Sequence, residues 1–318
     1  MDAANFAVDV AAKPGFLEAL AQRVESGSVW EAVAADTSRV IFVGMGSSHC
    51  AASVMAARLR ARGVTAIAEL ASSQLLPAPR HGDFVVVVSA TGNSQETLAA
   101  AVRYKGIAPV VLLTNAPTSP LHEVATGVVL MHAGIEAGGV ACRSFQHTLA
   151  LLLALEQRLA PDGLDVPSLL RRAAQATADL IGRAPEWIPL LRPLLDGPDG
   201  LHVVAPAHRL SSAQQSALMW REGPRRVATA CETGDWSHVD VYLTKTTDYR
   251  MLLLPGSPWE AELLSWVRER TATLVAVGAA IPGADATLRY VHDDDDDVRL
   301  LTETVVSELL SADVWLSQ

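Results

Sequence analysis

The sequence predicts an α/β protein built twice on parallel sheets, and three observations lead there. Its β-rich segments are continuous apolar runs, as strands buried on both faces must be. Helical segments separate these runs, the order that a parallel sheet needs. After a helical stretch broken by proline and glycine, the same order returns. In chain order, PGFLEALAQRVES reads as a helix with proline in its first turn and RVIFVG (39–44) as a strand. A glycine-serine loop follows, then AASVMAARLRARG, a helix closed by Gly63. VTAIAELA and DFVVVVSA are the next strands, SQETLAAAVRYKG a helix, and APVVLLTN and GVVLMHAG two more strands. SFQHTLALLLALEQRLA is a long apolar helix. The second set runs LHVVAP (strand), SSAQQSALMWRE (helix), YRMLLLPG (strand), PWEAELLSWVRER (helix) and TLVAVG (strand). VRLLTETVVSELLSADVWL closes it as a helix. The division expected is 1–160, a helical connection 161–197, and 198–318.

With 318 residues, half of them hydrophobic and 19% charged, the chain is globular and long enough for two cores. A net charge of -10 argues against a nucleic-acid groove. Cys50, Cys142 and Cys231 are scattered and form no CxxC pair, which fits a reducing compartment. No apolar stretch approaches the roughly 20 residues that span a bilayer. The first residues, MDAANFAVDVAAKPGF, lack the basic start and apolar core of a signal peptide. A cytoplasmic, soluble protein without metal or cofactor is expected.

Two loops leave strands of the first half where ligands of parallel sheets collect, beyond the carboxyl ends. They are GMGSSHC (44–50) and SATGNSQET (89–97). Glycine admits close backbone approach, hydroxyls donate, and the following helix N-terminus adds bare N–H groups. Ser47, Ser48, Ser89, Thr91 and Ser94 are the donors of a candidate phosphate cradle. The same residue types also serve as N-caps and turn formers, so that reading stays open. Neither GxxxxGK[ST] nor GxGxxG is present.

At these motifs the chain resembles the SIS (sugar isomerase) domain family. VGMGSSHCAA resembles the family's first strand and loop, and AAKPGFLEAL its N-terminal helix start. VVVVSATGNSQETL resembles the S-x-S-G-x-T-x-[DE]-T signature, with Thr91 at the second serine. HAGIEAGGVACRSFQHTL resembles A-G-x-E-x-x-V-A-S-T-K-x-F-T, with Glu136 and Phe145 in place and Arg143 where lysine is usual. The resemblance implies two tandem SIS domains, each a flavodoxin-like parallel sandwich. It also implies a homodimer and a small-molecule sugar phosphate as ligand, with Glu136 and Arg143 joining the hydroxyls.

SALMWREGPRRVATACETGDWSHVD (216–240) resembles the family's G-A-L-K-L-K-E…G-E-x-x-H-G stretch. Glu222 falls on the catalytic glutamate and His238 on the ring-opening histidine, sixteen residues apart as in the family. The residue types suit the chemistry. One carboxylate of raised pKa can carry a proton between two carbons, and histidine can trade a proton near neutrality. On the residues alone, Glu222 is equally a helix-end glutamate balanced by Arg221 and Arg225, and His238 a loop histidine on Asp235 or Asp240. The chain departs from the family's synthase. Met219 stands for a site lysine, Gln215 for a glutamate, and LLSADVWLSQ carries no lysine-bearing tail. These departures favour an isomerase or a phosphofructosamine deglycase, and the resemblance implies that His238 reaches a neighbouring subunit. The alternatives are a sugar-phosphate sensor without turnover and the isomerising part of a glucosamine-6-phosphate synthase-like aminotransferase. HDDDDDV (292–298) is read as a solvated loop, Cys50 beside His49 as structural, and REGPRR (221–226) as a helix end or a cationic patch near the substrate.

Overall fold

The computed structural model describes residues 1–27, 29–31, 33, 37–161 and 163–318. Two short helices open the chain, α1 (Ala3–Ala11) and α2 (Lys13–Ser26). The first sheet comprises β1 (Arg39–Gly44), β2 (Ala66–Leu70), β3 (Asp83–Val88), β4 (Val110–Thr114) and β5 (Gly127–Leu130). Between them lie α3 (Ser47–Ala61) and α4 (Gln95–Tyr104), and after them α5 (Arg143–Leu159). Next come α6 (Val166–Gly182) and α7 (Ala184–Leu195). The second sheet comprises β6 (Leu201–Ala205), β7 (Ala228–Glu232), β8 (Arg250–Leu253), β9 (Thr273–Val277) and β10 (Ala286–Leu288). Its helices are α8 (Leu210–Glu222), α9 (Thr233–Trp236), α10 (Glu260–Arg270), α11 (Asp296–Thr302) and α12 (Thr304–Leu316).

Both sheets are parallel throughout. The first runs β2-β1-β3-β4-β5 and the second, read from its other edge, β7-β6-β8-β9-β10. In each, the first strand sits between the second and third, the flavodoxin-like order. The repeat read from element order is therefore a repeat of topology. The central strands β3, β4 and β6 are buried at every residue. In the first sheet, Ile41, Val43, Val85, Val87 and Leu112 pack on Ala100, Ala101 and Tyr104 of α4. In the second, Val204, Met251, Leu253 and Leu274 pack on Trp236, Leu263 and Val267.

Packing divides the chain into two units that are not contiguous in sequence. One joins residues 16–135 with 143–170 and holds β1–β5; the other joins 1–15, 136–142 and 171–318 and holds β6–β10. Secondary-structure order alone gave the contiguous division 1–160, 161–197 and 198–318. Helix α9 and three further elements escaped that order. Helix α1 is nine residues long, capped by Asp2, and buries Phe6, Asp9 and Val10. Strands β7 and β10 are the two edges of the second sheet. Edge strands are half-covered, so ATACE and ATL lack the unbroken apolar run.

The β6–β10 unit holds two buried ion pairs. Lys13, at the start of α2, places Nζ 2.6 Å from Glu308 Oε2 on α12, and both side chains are fully buried. Arg209 places Nη1 2.5 Å from Glu303 Oε2, again with both side chains buried. Removing one partner of such a pair strands a charge in a low dielectric. Lys13→Met is expected to lower the unfolding free energy by about 3–5 kcal/mol in urea titration. Lys13→Met with Glu308→Leu should recover most of that loss. A single variant as stable as the parent would mean that Glu308 has found another partner.

Candidate functional site

The order of the first sheet places its switch point between β1 and β3. Their last residues are in register, Gly44 opposite Val88, so both chains leave the sheet side by side. The stretch 44–50 is less of a loop than its composition suggests. Only Met45 and Gly46 precede α3, and Gly46 takes φ 53° as its N-cap. Ser47 and Ser48 form the first helical turn. Their side chains are half-buried and have no hydrogen-bond partner among the described residues. A Cβ on Gly44 would meet Ser48 Cβ at 3.1 Å, so glycine is what lets the helix start this close to the strand.

The second loop is folded onto itself. Ser89 Oγ accepts from the Gly92 N–H at 3.2 Å. Thr91 Oγ1 accepts more weakly from Asn93 at 3.4 Å. Ser94 caps α4, accepting from the Thr97 N–H at 3.2 Å and donating to Glu96 Oε2 at 2.8 Å. So Ser89 and Ser94 do fill turn and cap roles. The Glu96 N–H and, to a smaller degree, the Ser94 hydroxyl hold the Glu96 carboxyl below its ordinary pKa. Gly92 has φ 66° and lies against Ser119, where a side chain would collide.

Residues that sequence reasoning missed brace these loops. The Asn115 N–H and the Thr114 hydroxyl both donate to Ala90 O, at 3.0 and 3.2 Å. The Asn115 amide donates to Gly134 O at 2.6 Å and accepts from the Ala133 N–H at 2.9 Å. The signal was available: LLTN ends a buried strand on an amide, beside a strand that ends in serine. Arg143 sits inside this framework. It is buried, donates to Ala133 O at 2.7 Å and to Ile135 O, and lies 4.6 Å over the Phe16 ring. Its guanidinium holds the chain after β5.

In the β6–β10 unit, Glu136 Oε1 accepts from the Cys142 N–H at 2.7 Å and closes the 136–142 loop on itself. That loop is pinned at Gly138, whose N–H donates to Asp9 Oδ2 at 2.7 Å. Gln215 of α8 donates to Ala141 O at 2.8 Å and touches Met219 Sδ at 3.6 Å. The two departures from the family pattern are thus neighbours on one helix face, both uncharged. One turn on, Glu222 ends α8, with Gly223 as C-cap. Its carboxylate is half-buried and accepts no hydrogen bond among the described residues. Burial pushes its pKa up, against a smaller downward pull from Arg221 and Arg225. A carboxyl placed this way is a better base than a solvated one.

His238 is exposed just past α9, its ring without a partner among the described residues. Asp240 instead lies 3.8 Å from His202 Nδ1, and Asp235 gives only its carbonyl to the His238 N–H at 2.8 Å. Glu222 precedes β7 and His238 follows it. Five strand residues place them at opposite edges of the second sheet, roughly 16 Å apart along the strand. The structure therefore does not bring this pair together within one chain. Beside His238, Val239, Tyr242 and Leu243 are exposed.

The aspartate run is not a solvated loop. Asp293 is buried and paired with Arg289 at 2.5 Å. Asp295 caps α11 and pairs with Arg172 at 2.5 Å. Among the described residues no cluster of His, Cys, Asp or Glu could hold a metal ion. Nor is any helix among them long and apolar enough to cross a membrane. The second sheet has its own switch point, where the amides of Gly256 and Ser257 both donate to Glu260 Oε1 and Arg209 donates to Pro255 O.

Comparison with known proteins agrees with this geometry. The SIS domain family model matches residues 35–157, the stretch that carries β1–β5 and both loops. Over the whole chain, glutamine–fructose-6-phosphate aminotransferase (isomerizing) of Sulfurisphaera tokodaii is 23% identical across 273 residues. These cover 85% of this chain and 45% of that protein, so the chain spans less than half the length of the curated relative it matches. Among solved structures, the C-terminal domain of glucosamine-fructose-6-phosphate aminotransferase from Francisella tularensis superposes with a TM-score of 0.80 at 16% identity, covering 98% of this chain and 95% of that one. Tagatose-6-phosphate ketose/aldose isomerase from Escherichia coli gives 0.79 at 14%, covering 97% and 91%. The chain shares their fold.

An acid whose pKa is raised on folding favours the folded state only while protonated, so its stabilising share is present below the unfolded pKa and lost as pH rises through the folded one. Glu222→Gln removes that loss. The variant should melt above the parent at pH 7, and the gap should narrow as pH falls through the raised pKa of Glu222. A variant that melts lower at pH 7 would show that the carboxylate has a stabilising partner.

Proposed function

We propose that the chain is a phosphosugar enzyme that moves a proton between adjacent carbons of a sugar phosphate, as an aldose–ketose isomerase or a phosphofructosamine deglycase. The observation that carries this reading is Glu222, a half-buried carboxylate of raised pKa that accepts no hydrogen bond among the described residues. In this reading the Ser47 and Ser48 hydroxyls and the helix N-termini behind them hold the phosphate, and Ser89, Thr91 and Ser94 shape the wall of that cradle. Glu136 sets the 136–142 loop. Binding energy at the phosphate positions the reacting carbons.

Glu222 takes a proton from C1 of a ketose or ketosamine, leaving an enediol or enaminol, and returns it to C2. For a ketose the product is the aldose. For a ketosamine it is an imine, which water cleaves to an aldose phosphate and a free amine. The neutral Gln215–Met219 face supports a reaction that needs one base over one that needs a charged lysine on that helix. A second SIS domain in tandem, holding β6–β10, belongs to the same reading. So does a homodimer: His238, remote from Glu222 in its own chain and set beside exposed Val239, Tyr242 and Leu243, would open the sugar ring in the site of the partner subunit.

The test is NMR in D2O with fructose 6-phosphate, glucose 6-phosphate and a 6-phosphofructosamine. Deuterium should enter C1 or C2 of one of them, and Glu222→Gln should slow its entry at least a hundredfold. A substrate that binds without exchange would mean a sensor, and no binding would sink the phosphosugar reading. Glu222→Gln and His238→Ala should each be inactive alone. Mixed and reassembled, they should regain about a quarter of the parental activity, because only mixed dimers contain one complete site. A mixture that stays inactive would count against the shared site.

A further inference from the structure

Behind the second loop of the first sheet stands a pair of side chains that the proposed reaction does not use. Ser119 follows β4 and takes the N-cap position of a single 3₁₀ turn, Pro120–Glu123. A serine there ordinarily caps the turn with its hydroxyl, yet Ser119 makes no cap bond. Its hydroxyl is hydrogen-bonded to Nδ1 of half-buried His122 at 2.9 Å instead. The same side chain lies against Gly92. A Cβ on Gly92 would collide with Ser119 Oγ, and it would stand 2.6 Å from Ser119 Cβ and 3.5 Å from Thr114 Oγ1. Gly92 is buried between exposed Thr91 and Asn93, so the loop is held down at its middle and open on either side. With φ 66°, Gly92 turns its N–H back to Ser89, onto O at 3.1 Å and Oγ at 3.2 Å. The turn beneath is firmly seated. Leu121 is buried in the same apolar cluster as Tyr104 and Leu112, and Lys105 Nζ donates to Glu123 O at 3.1 Å. The chain leaving β4 therefore braces the chain leaving β3 at two points, Ala90 through Thr114 and Gly92 through Ser119.

Building on the phosphosugar reading, we propose that Ser119 and His122 are positioning residues for the phosphate. His122 fixes the Ser119 hydroxyl, Ser119 fixes the height of Gly92, and Gly92 fixes the loop backbone that the phosphate meets. Donors in a binding site must be held within about 0.5 Å of their working positions. A glycine supplies no stiffness of its own, so the stiffness comes from a neighbour. A serine hydroxyl left alone turns among its staggered rotamers; one tied to an imidazole stays in one of them. That is why the hydroxyl is spent on His122 and not on the cap.

Hydrogen exchange and titration calorimetry test this on the parent, Ser119→Ala, His122→Leu and His122→Asn. Leucine keeps bulk and removes the ring nitrogen. Asparagine presents an oxygen or a nitrogen near the place of Nδ1, so it restores the bond whichever partner donates. Ser119→Ala and His122→Leu should speed exchange of the Gly92 amide about tenfold or more, with the amides of β3 and β4 as protected as in the parent. Both should bind glucitol 6-phosphate, a hexitol that cannot enolise, about fivefold more weakly, as loss of one hydrogen bond implies. His122→Asn should return both values to those of the parent. Unchanged Gly92 exchange in His122→Leu would overturn the pair. So would weakened binding that asparagine does not restore, the result expected if the ring only fills space. Glucitol 6-phosphate bound equally by the parent and every variant would overturn the proposal and leave the phosphosugar reading standing. A parent that binds neither glucitol 6-phosphate nor inorganic phosphate would overturn the two together.

Discussion

The chemistry of the β1–β5 unit rests on one constraint, that every strand of its sheet is parallel. Parallel pairing sends all carboxyl ends to one edge. The order 2-1-3-4-5 makes the chain turn to opposite faces after β1 and β3, and their registered ends leave a gap between the departing loops. Gly44, Gly46 and Gly92 keep that gap narrow, and Asn115 laces the chain after β3 to the chain after β5. Hydroxyl groups there gather at a place that the topology made first.

A second theme is where the protein leaves polar groups engaged and where it does not. Lys13 with Glu308 and Arg209 with Glu303 are deep ion pairs, and Arg143 is locked on carbonyls. Glu222 and His238 stand apart, their side chains in no hydrogen bond or ion pair among the described residues. On α8 the contrast falls within two turns. Gln215 donates to Met219 Sδ and to the 136–142 loop, and the next residue on that face is a carboxylate that accepts no hydrogen bond among the described residues.

Much of this could be read from the sequence, and the reasons for the remainder are physical. Buried central strands such as DFVVVV and LHVVA announce themselves because both faces are covered. The edge strands ATACE and ATL do not. Ser89 and Ser94 follow the buried strand β3, yet a motif does not say whether a hydroxyl faces outward or closes a turn. SSHC reads as loop by composition, and only the positive φ of Gly46 shows that the helix has already begun. The burial of Arg143 depends on carbonyls eight and ten residues upstream, which no spacing rule ties to it. The distance between Glu222 and His238 follows from β7, the strand that went unrecognised.

The two switch points have taken different courses. In the first sheet the hydroxyls of Ser47 and Ser48 beyond the strand ends have no hydrogen-bond partner among the described residues. In the second, the corresponding amides of Gly256 and Ser257 already hold the carboxylate of Glu260, and the buried guanidinium of Arg209 fills the space behind them. The later half of the chain thus carries its own anion as a built-in plug. Duplicated folds can divide labour in this manner, one crevice kept open to solution and the other turned into a keystone.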